Sequence, residues 1–299
     1  LKLGEKWIDM RVSTLPSSYG ERLVLRILDK ADTQLELEQL GMSEDVLKSF
    51  IRSLSSPNGI ILVTGPTGSG KTTTLYAVLN KLNNKTRNII TVEDPIEYSI
   101  DGIGQTQVNP KVGMTFSKGL RAILRQDPDI VLVGEIRDLE TAEIAIQAAL
   151  TGQLVLSTVH TNDAVAAITR MNDLGVEPYL IASTFRGVLA QRLVRILCSG
   201  CKEPYVLEKS ISGIKKGTEL FHPKGCKECN NVGYSGRIGL FEFFQLTDQI
   251  KQAINSNKTE KYIADQVFDN ADRLFDSGIN LVKSGLTSLE EVLRVTSEG

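Results

Sequence analysis

The stretch Gly65-Pro66-Thr67-Gly68-Ser69-Gly70-Lys71-Thr72-Thr73 holds the residue types that a polyphosphate needs. Its glycines let backbone N–H groups converge on phosphate oxygens that side chains would otherwise block. Lys71 can reach β- and γ-phosphates, and the Thr72 hydroxyl can hold Mg2+. An apolar run, Ile60-Ile61-Leu62-Val63, precedes the loop, and a helical stretch over residues 71–82 follows it. That context separates a complete Walker A signature from a Gly-rich turn with a fortuitous lysine. The helix N-terminus adds partial positive charge for a nucleotide's phosphates to meet.

Phosphate chemistry also needs a group to orient water. The run Ile130-Val131-Leu132-Val133 ends in Gly134-Glu135. Gly134 stands at the usual aspartate place of a Walker B strand, so Glu135 is the candidate for polarising the attacking water, with a role in the metal shell. A second run ends Thr91-Val92-Glu93-Asp94-Pro95-Ile96-Glu97. Three carboxylates within five residues repel one another unless a cation or solvent intervenes. They are solvated loop charges or they face Mg2+ and water; their position at a strand end favours the latter. A further run ends Ser157-Thr158-Val159-His160. On residue type alone His160 is as readily a structural histidine as a donor to the γ-phosphate.

The four cysteines form two Cys-x-x-Cys pairs, Cys198/Cys201 and Cys226/Cys229. Each has the spacing of a zinc knuckle, and two knuckles complete a tetrahedral Zn2+ site. Two disulfides of a secreted chain compete with this reading, but their density would be low and the opening residues lack a secretory pattern. A closed four-sulfur site has no open position for catalysis, which makes it a staple. His222 is superfluous as a ligand.

The elements that must position these groups are legible as continuous apolar runs at 60–63, 89–92, 130–133 and 154–156. Continuity without alternation is expected of strands buried on both faces of a parallel sheet. Helical stretches at 71–82, 117–124 and 139–150 separate them. The fold class is therefore α/β, an open sheet with right-handed crossovers. Residues 5–29 alternate and read as short antiparallel strands, 32–40 read as a polar linker, and Ser43 caps a helix through Leu54. Residues 162–197 read as mostly helical. The tail from Thr247 reads as amphipathic helix, with Thr287 and Glu290 forming a capping box.

Composition narrows the class further. At 41% hydrophobic and 23% charged the chain suits a globular protein, and it has no apolar run of spanning length. Its 34 Lys+Arg against 36 Asp+Glu argue against a dedicated nucleic-acid binder. The start at Leu1, inside a strand-like alternation, reads as the cut edge of a longer protein with a domain upstream.

The phosphate loop, residues 90–97, residues 124–138 (through Gly134-Glu135-Ile136-Arg137-Asp138) and residues 156–162 resemble the Walker A, Asp box, Walker B and His box of secretion-superfamily ATPases. These are the hexameric motors of type II secretion and type IV pili, and the resemblance covers nearly the whole chain. It implies a RecA-like P-loop NTPase core over 31–197, a zinc module over 198–238 and a C-terminal mainly helical region over 239–299. Residues 1–30 are then the last part of an N-terminal α+β flanking domain. It further implies that Glu135 is the catalytic glutamate, that Glu93 is the Asp-box carboxylate near metal and water, and that His160 senses phosphate. Arg11, Arg26, Arg121 and Arg125 match arginines that approach the nucleotide. Where the family usually reads Thr-Gly-His, this chain has Thr151-Gly152-Gln153, so the histidine role rests on His160 alone. The zinc pairs resemble assembly and secretion motors rather than retraction motors, and residues 175–194 look closer to type II secretion.

The implied partners are five further copies in a homo-hexamer and the cytoplasmic domains of inner-membrane platform proteins. The implied location is cytoplasmic, peripheral at a bacterial inner membrane and held there only through partners. The competing class is a RecA-like nucleic-acid translocase with a zinc module. It predicts a basic stripe with interleaved aromatics, which balanced charge and 6% aromatics do not supply. A small-molecule kinase would need an acceptor lid, and no segment offers one.

Overall fold

The computed structural model describes residues 2–3, 6–7, 9–28, 36–211, 213–269 and 271–296. Strands β1 (Lys2–Leu3) and β2 (Lys6–Trp7) pair antiparallel, and β3 (Asp9–Ser17) forms a hairpin with β4 (Gly20–Leu28). Arg11 and Arg26 are direct partners across that ladder. Their side chains lie outside the described residues, as does most of the linker. Ser43 caps α1 (Glu44–Leu54), accepting from the Val46 N–H as its position predicts.

The main sheet is then built from β5 (Gly59–Thr64), α2 (Lys71–Leu82), β6 (Ile89–Glu93), β7 (Gly104–Gln107), α3 (Phe116–Ile123), β8 (Ile130–Val133), α4 (Leu139–Leu150) and β9 (Leu154–Val159). Next come α5 (Ala164–Asp173), α6 (Pro178–Thr184) and β10 (Phe185–Leu197). A hairpin of β11 (Lys202–Val206) and β12 (Glu219–Pro223) precedes β13 (Tyr234–Gln245). Helices α7 (Asp248–Asn255), α8 (Glu260–Phe268), α9 (Leu274–Lys283) and α10 (Leu289–Thr296) complete the described chain. Among the described residues, no helix is long and apolar enough to cross a membrane.

The sheet runs β13-β10-β5-β9-β8-β6-β7, parallel throughout except for the antiparallel edge strand β13. Its central strands divide their apolar residues between two cores. Ile60, Leu62, Val131, Val133 and Val155 join one, and Ile61, Val63, Ile130, Leu132, Leu154 and Leu156 join the other. Both faces are covered, so successive residues are all buried and the run shows no alternation. Each fully buried Ile, Leu or Val contributes about 1.5–3 kcal/mol relative to exposure.

Two expectations need correction. Residues 185–197 are not helical: they form the 13-residue strand β10, between β5 and β13. Its polar residues obscure the strand pattern because distant partners satisfy them. Arg186 donates to Asn58, Gln191 accepts from Thr74, and Arg195 pairs with Glu291. The cap of α10 is Ser288, whose hydroxyl accepts from the Glu291 N–H, whereas Thr287 donates to the Arg195 carbonyl. The cap is therefore shifted by one residue, and the Glu291 side chain pairs with Arg195 and Arg294.

Candidate active site

The chain leaves β5 at Thr64 and enters α2 at Lys71, so the intervening loop must turn sharply against β10. A Cβ on Gly65 (φ 147°) would lie 2.3 Å from the Gln191 carbonyl oxygen, and one on Gly70 (φ 89°) 2.7 Å from Gln191 Nε2. Only glycine permits that approach. Thr74 Oγ1 fixes the wall by donating to Gln191 Oε1 at 2.7 Å. Ser69 Oγ is buried in the loop with no hydrogen-bond partner among the described residues. A phosphate oxygen would satisfy this orphan, so the loop fits the group its sequence implies.

Lys71 is buried and folds back on the loop, donating to the Gly65 carbonyl at 2.7 Å and the Pro66 carbonyl at 3.0 Å. Burial pushes its ammonium down to about 8; Glu135 opposes that shift and Arg192 adds to it. Thr72 and Thr73 line the same cleft, which has a volume of about 870 Å3.

Glu135 follows the end of β8, where the Gly134 carbonyl accepts from Thr158 Oγ1 at 2.7 Å. Arg137 pairs with its Oε1, and His160 Nε2 lies 3.6 Å from its Oε2. The other ring nitrogen of His160 is 3.5 Å from Lys71 Nζ. Burial, then the Lys71 charge, lowers the His160 pKa and favours the neutral ring. The next residue, Thr161, is tied to the end of β5 by its N–H to Thr64 Oγ1 at 3.0 Å. Adjacent parallel strands thus bring Lys71, Glu135 and His160 to one end of the sheet.

Glu93 lines the same cleft but is already engaged. It accepts from Tyr76 Oη, from Thr91 Oγ1 at 2.5 Å and from Gln105 Nε2 at 3.1 Å. Burial first, and the Glu93 hydrogen bond second, raise the Tyr76 phenol well above its usual range. The phenol therefore stays a donor to the carboxylate.

Arg121 and Arg125 are not brought into this cleft. Arg121 pairs with Glu140 at 2.7 Å on the first turn of α4, and Arg125 donates to the Arg121 carbonyl at 3.0 Å. Sequence reasoning missed the cleft's β10 residues, Gln191 and Leu193, and Arg237 on β13. Arg192 is buried beside the phosphate loop and donates to the Asn162 carbonyl and side chain at 3.1 and 3.2 Å. The signal was the pair Gln191-Arg192 in a segment read as helix; as a strand beside β5, it borders the loop.

The second cluster is Cys198, Cys201, Cys226 and Cys229, whose sulfurs all lie within 4.8 Å of one another. Leu197 pairs with Tyr234, so β10 and β13 deliver the two knuckles to the same place. Sulfur–sulfur distances of 3.8, 3.7 and 3.8 Å match the edge of a ZnS4 tetrahedron, about 3.8 Å for a Zn–S bond of about 2.3 Å. The Cys226 and Gly233 N–H groups each reach Cys229 Sγ at 3.2 Å. The Cys226 N–H, helped by that of Gly233, holds the thiol down at about 6 against the opposing effect of burial. The donor set fits Zn2+. His222 lies apart, 3.5 Å from Glu203.

Residues 1–294 match the family model described as "Type II/IV secretion system protein". The chain is 56% identical over 301 aligned positions to "Type II secretion system protein E" of Dickeya dadantii. It is 55% identical over 303 positions to "Type II secretion system ATPase E" of Vibrio cholerae. Each alignment covers 100% of this chain and 60% of the relative, so the chain spans about 60% of the length of these curated relatives. Among solved structures, the pilus retraction motor PilT with bound ADP aligns at a TM-score of 0.71 and 29% identity, covering 96% of this chain and 73% of that one. The Legionella pneumophila ATPase DotB, at a TM-score of 0.71 and 21% identity, covers 98% and 73% and shows the shared fold.

Proposed function

The chain belongs to the type II/IV secretion system protein family, and from that premise we propose that its cleft binds and hydrolyses ATP to drive a type II secretion motor. The observation that carries this reading is the convergence of Lys71, Glu135 and His160 around a glycine loop with an orphaned Ser69 hydroxyl.

In this mechanism the β- and γ-phosphates occupy the loop at 65–70 and accept from its backbone N–H groups. Lys71 exchanges the Gly65 and Pro66 carbonyls for phosphate oxygens, whose negative charge favours its ammonium form. Thr72, with Glu135 nearby, would hold Mg2+, which when bound neutralises charge on the β- and γ-oxygens. A water oxygen bonds to the γ-phosphorus, the bond to the ADP oxygen breaks, and the water's proton passes to Glu135. Neutral His160 donates to the departing phosphate. Glu93, held by Tyr76, Thr91 and Gln105, fixes the second strand end beside the reacting groups.

The motor is a ring of six copies. Arg121 and Arg125 lie outside their own cleft, so they serve a neighbour's nucleotide, and the hairpin bearing Arg11 and Arg26 closes over the phosphates. The four cysteines hold Zn2+ as a staple. The ring works in the cytoplasm, against platform proteins of a bacterial inner membrane. A phosphate-release assay on dispersed and ring-assembled chain tests the reading. ATP-dependent release that rises on assembly supports it; none in either state refutes it.

A further inference from the structure

Arg137 stands where two cavities meet. The nucleotide cleft and a neighbouring cavity of about 630 Å3 share Thr67, Glu135, Arg137 and His160 as a common wall. Across that wall Arg137 Nη2 pairs with Oε1 of Glu135, while His160 Nε2 stands 3.6 Å from Oε2. One oxygen of the carboxylate that must take a proton is therefore already covered by a guanidinium. A guanidinium in that place occupies the oxygen that a water molecule would otherwise meet.

The two partners are held very differently. The Glu135 side chain is 11% exposed, whereas that of Arg137 is 67% exposed. An exposed guanidinium is weakly held by one carboxylate and free to rotate away. Arg192 is buried and fixed on Asn162, so it supplies constant charge, while Arg237 also lines the cleft and Arg170 the neighbouring cavity. A terminal phosphate entering the cleft carries more negative charge than Glu135 and offers paired oxygens that a guanidinium fork can also grip bidentately.

We propose that Arg137 is a two-position switch for hydrolysis, latching Glu135 when no terminal phosphate is present and releasing it when the γ-phosphate draws the guanidinium away. The inference rests on the reading of the cleft as an ATP site. ADP lacks the attracting group, so the latch closes again after hydrolysis. The free and ADP-bound chains are then both held with an occupied base, and only ATP opens the site.

The test is calorimetric titration of this chain with ADP and with the β,γ-imido analogue of ATP. Arg137→Gln should weaken the analogue roughly tenfold and leave ADP within about twofold, and Arg137→Lys should recover part of the loss. Glu135→Gln removes the charge that competes for the guanidinium, so it should tighten the analogue roughly fivefold without changing ADP. That gain should vanish in the double variant. ADP binding reports folding in every variant. Equal effects of Arg137→Gln on both ligands, no effect on either, or a Glu135→Gln gain that survives without Arg137 would each overturn the switch alone. A wild type that binds neither nucleotide, or Lys71→Ala binding both as the wild type does, sinks the cleft reading and the switch with it.

Discussion

Glu242 on β13 accepts a hydrogen bond from the backbone N–H of Ala164, the first residue of α5, at 2.9 Å. Its other oxygen accepts from the N–H of Leu274, the first residue of α9, at 3.1 Å. One buried carboxylate thus ties the starts of two helices, and α5 begins four residues after His160. Burial raises the Glu242 carboxyl to about 7 although both N–H groups pull it down.

That shift gives a pH dependence of known sign. Between about pH 4.5 and pH 7 the unfolded chain releases this proton and the folded chain keeps it. Stability should therefore fall as pH rises through the window and level off above it, by ~3 kcal/mol at most from this group. Glu242→Gln should flatten the profile while costing about 1 kcal/mol for the weakened cap. Urea unfolding of both proteins from pH 5 to pH 8 measures the difference; parallel profiles would contradict the assignment.

Lys71→Ala removes the one side-chain cation that the phosphate loop folds over itself. Thermal stabilisation by ATP should disappear while the melting temperature without nucleotide changes little. Stabilisation equal to that of the wild type would mean that the phosphates bind elsewhere.

Glu135→Gln keeps the shape of the side chain and removes the base. Turnover should fall by about 100-fold or more while nucleotide still raises the melting temperature. Persistent turnover in a phosphate-release assay would move the base to Glu93, a buried carboxylate at the end of β6 in the same cleft.

Metal removal addresses the cysteine cluster. A strong chelator, or Cys226→Ser, should release one zinc per chain and speed hydrogen exchange in the cysteine turns around residues 198–233. Elemental analysis that finds no zinc in freshly purified protein would refute the staple.

Much of this molecule is legible before folding because its central strands are buried on both faces. β5, β6, β8 and β9 stand out as apolar runs, and the acidic or imidazole groups at their ends then necessarily converge. β10 is hidden for the opposite reason. Gln191, Arg192 and Arg195 are polar residues whose partners, Thr74, Asn162 and Glu291, lie far away in sequence. Local pattern cannot register a hydrogen bond spanning 117 residues. The same limit concealed the Arg137–Glu135 pair, since the adjacency of two charges in sequence says nothing of which way either one turns. Arg11 and Arg26 remain placed only by their ladder register.

β10 joins the two sites of this chain mechanically. At about 3.3 Å per residue, the seven steps from Gln191 at the phosphate loop to Cys198 at the cysteine cluster span about 23 Å. Over that length the β13 ladder alone pairs the strand, because the β5 ladder ends at Ala190, and the register shifts between Arg195 and Leu197. The one-sided ladder can carry a displacement from the loop as far as Arg195, where the register shift gives the strand a point of bending ahead of the cysteines. The cysteine cluster thus sits beyond a joint in the strand whose other end borders the glycine loop.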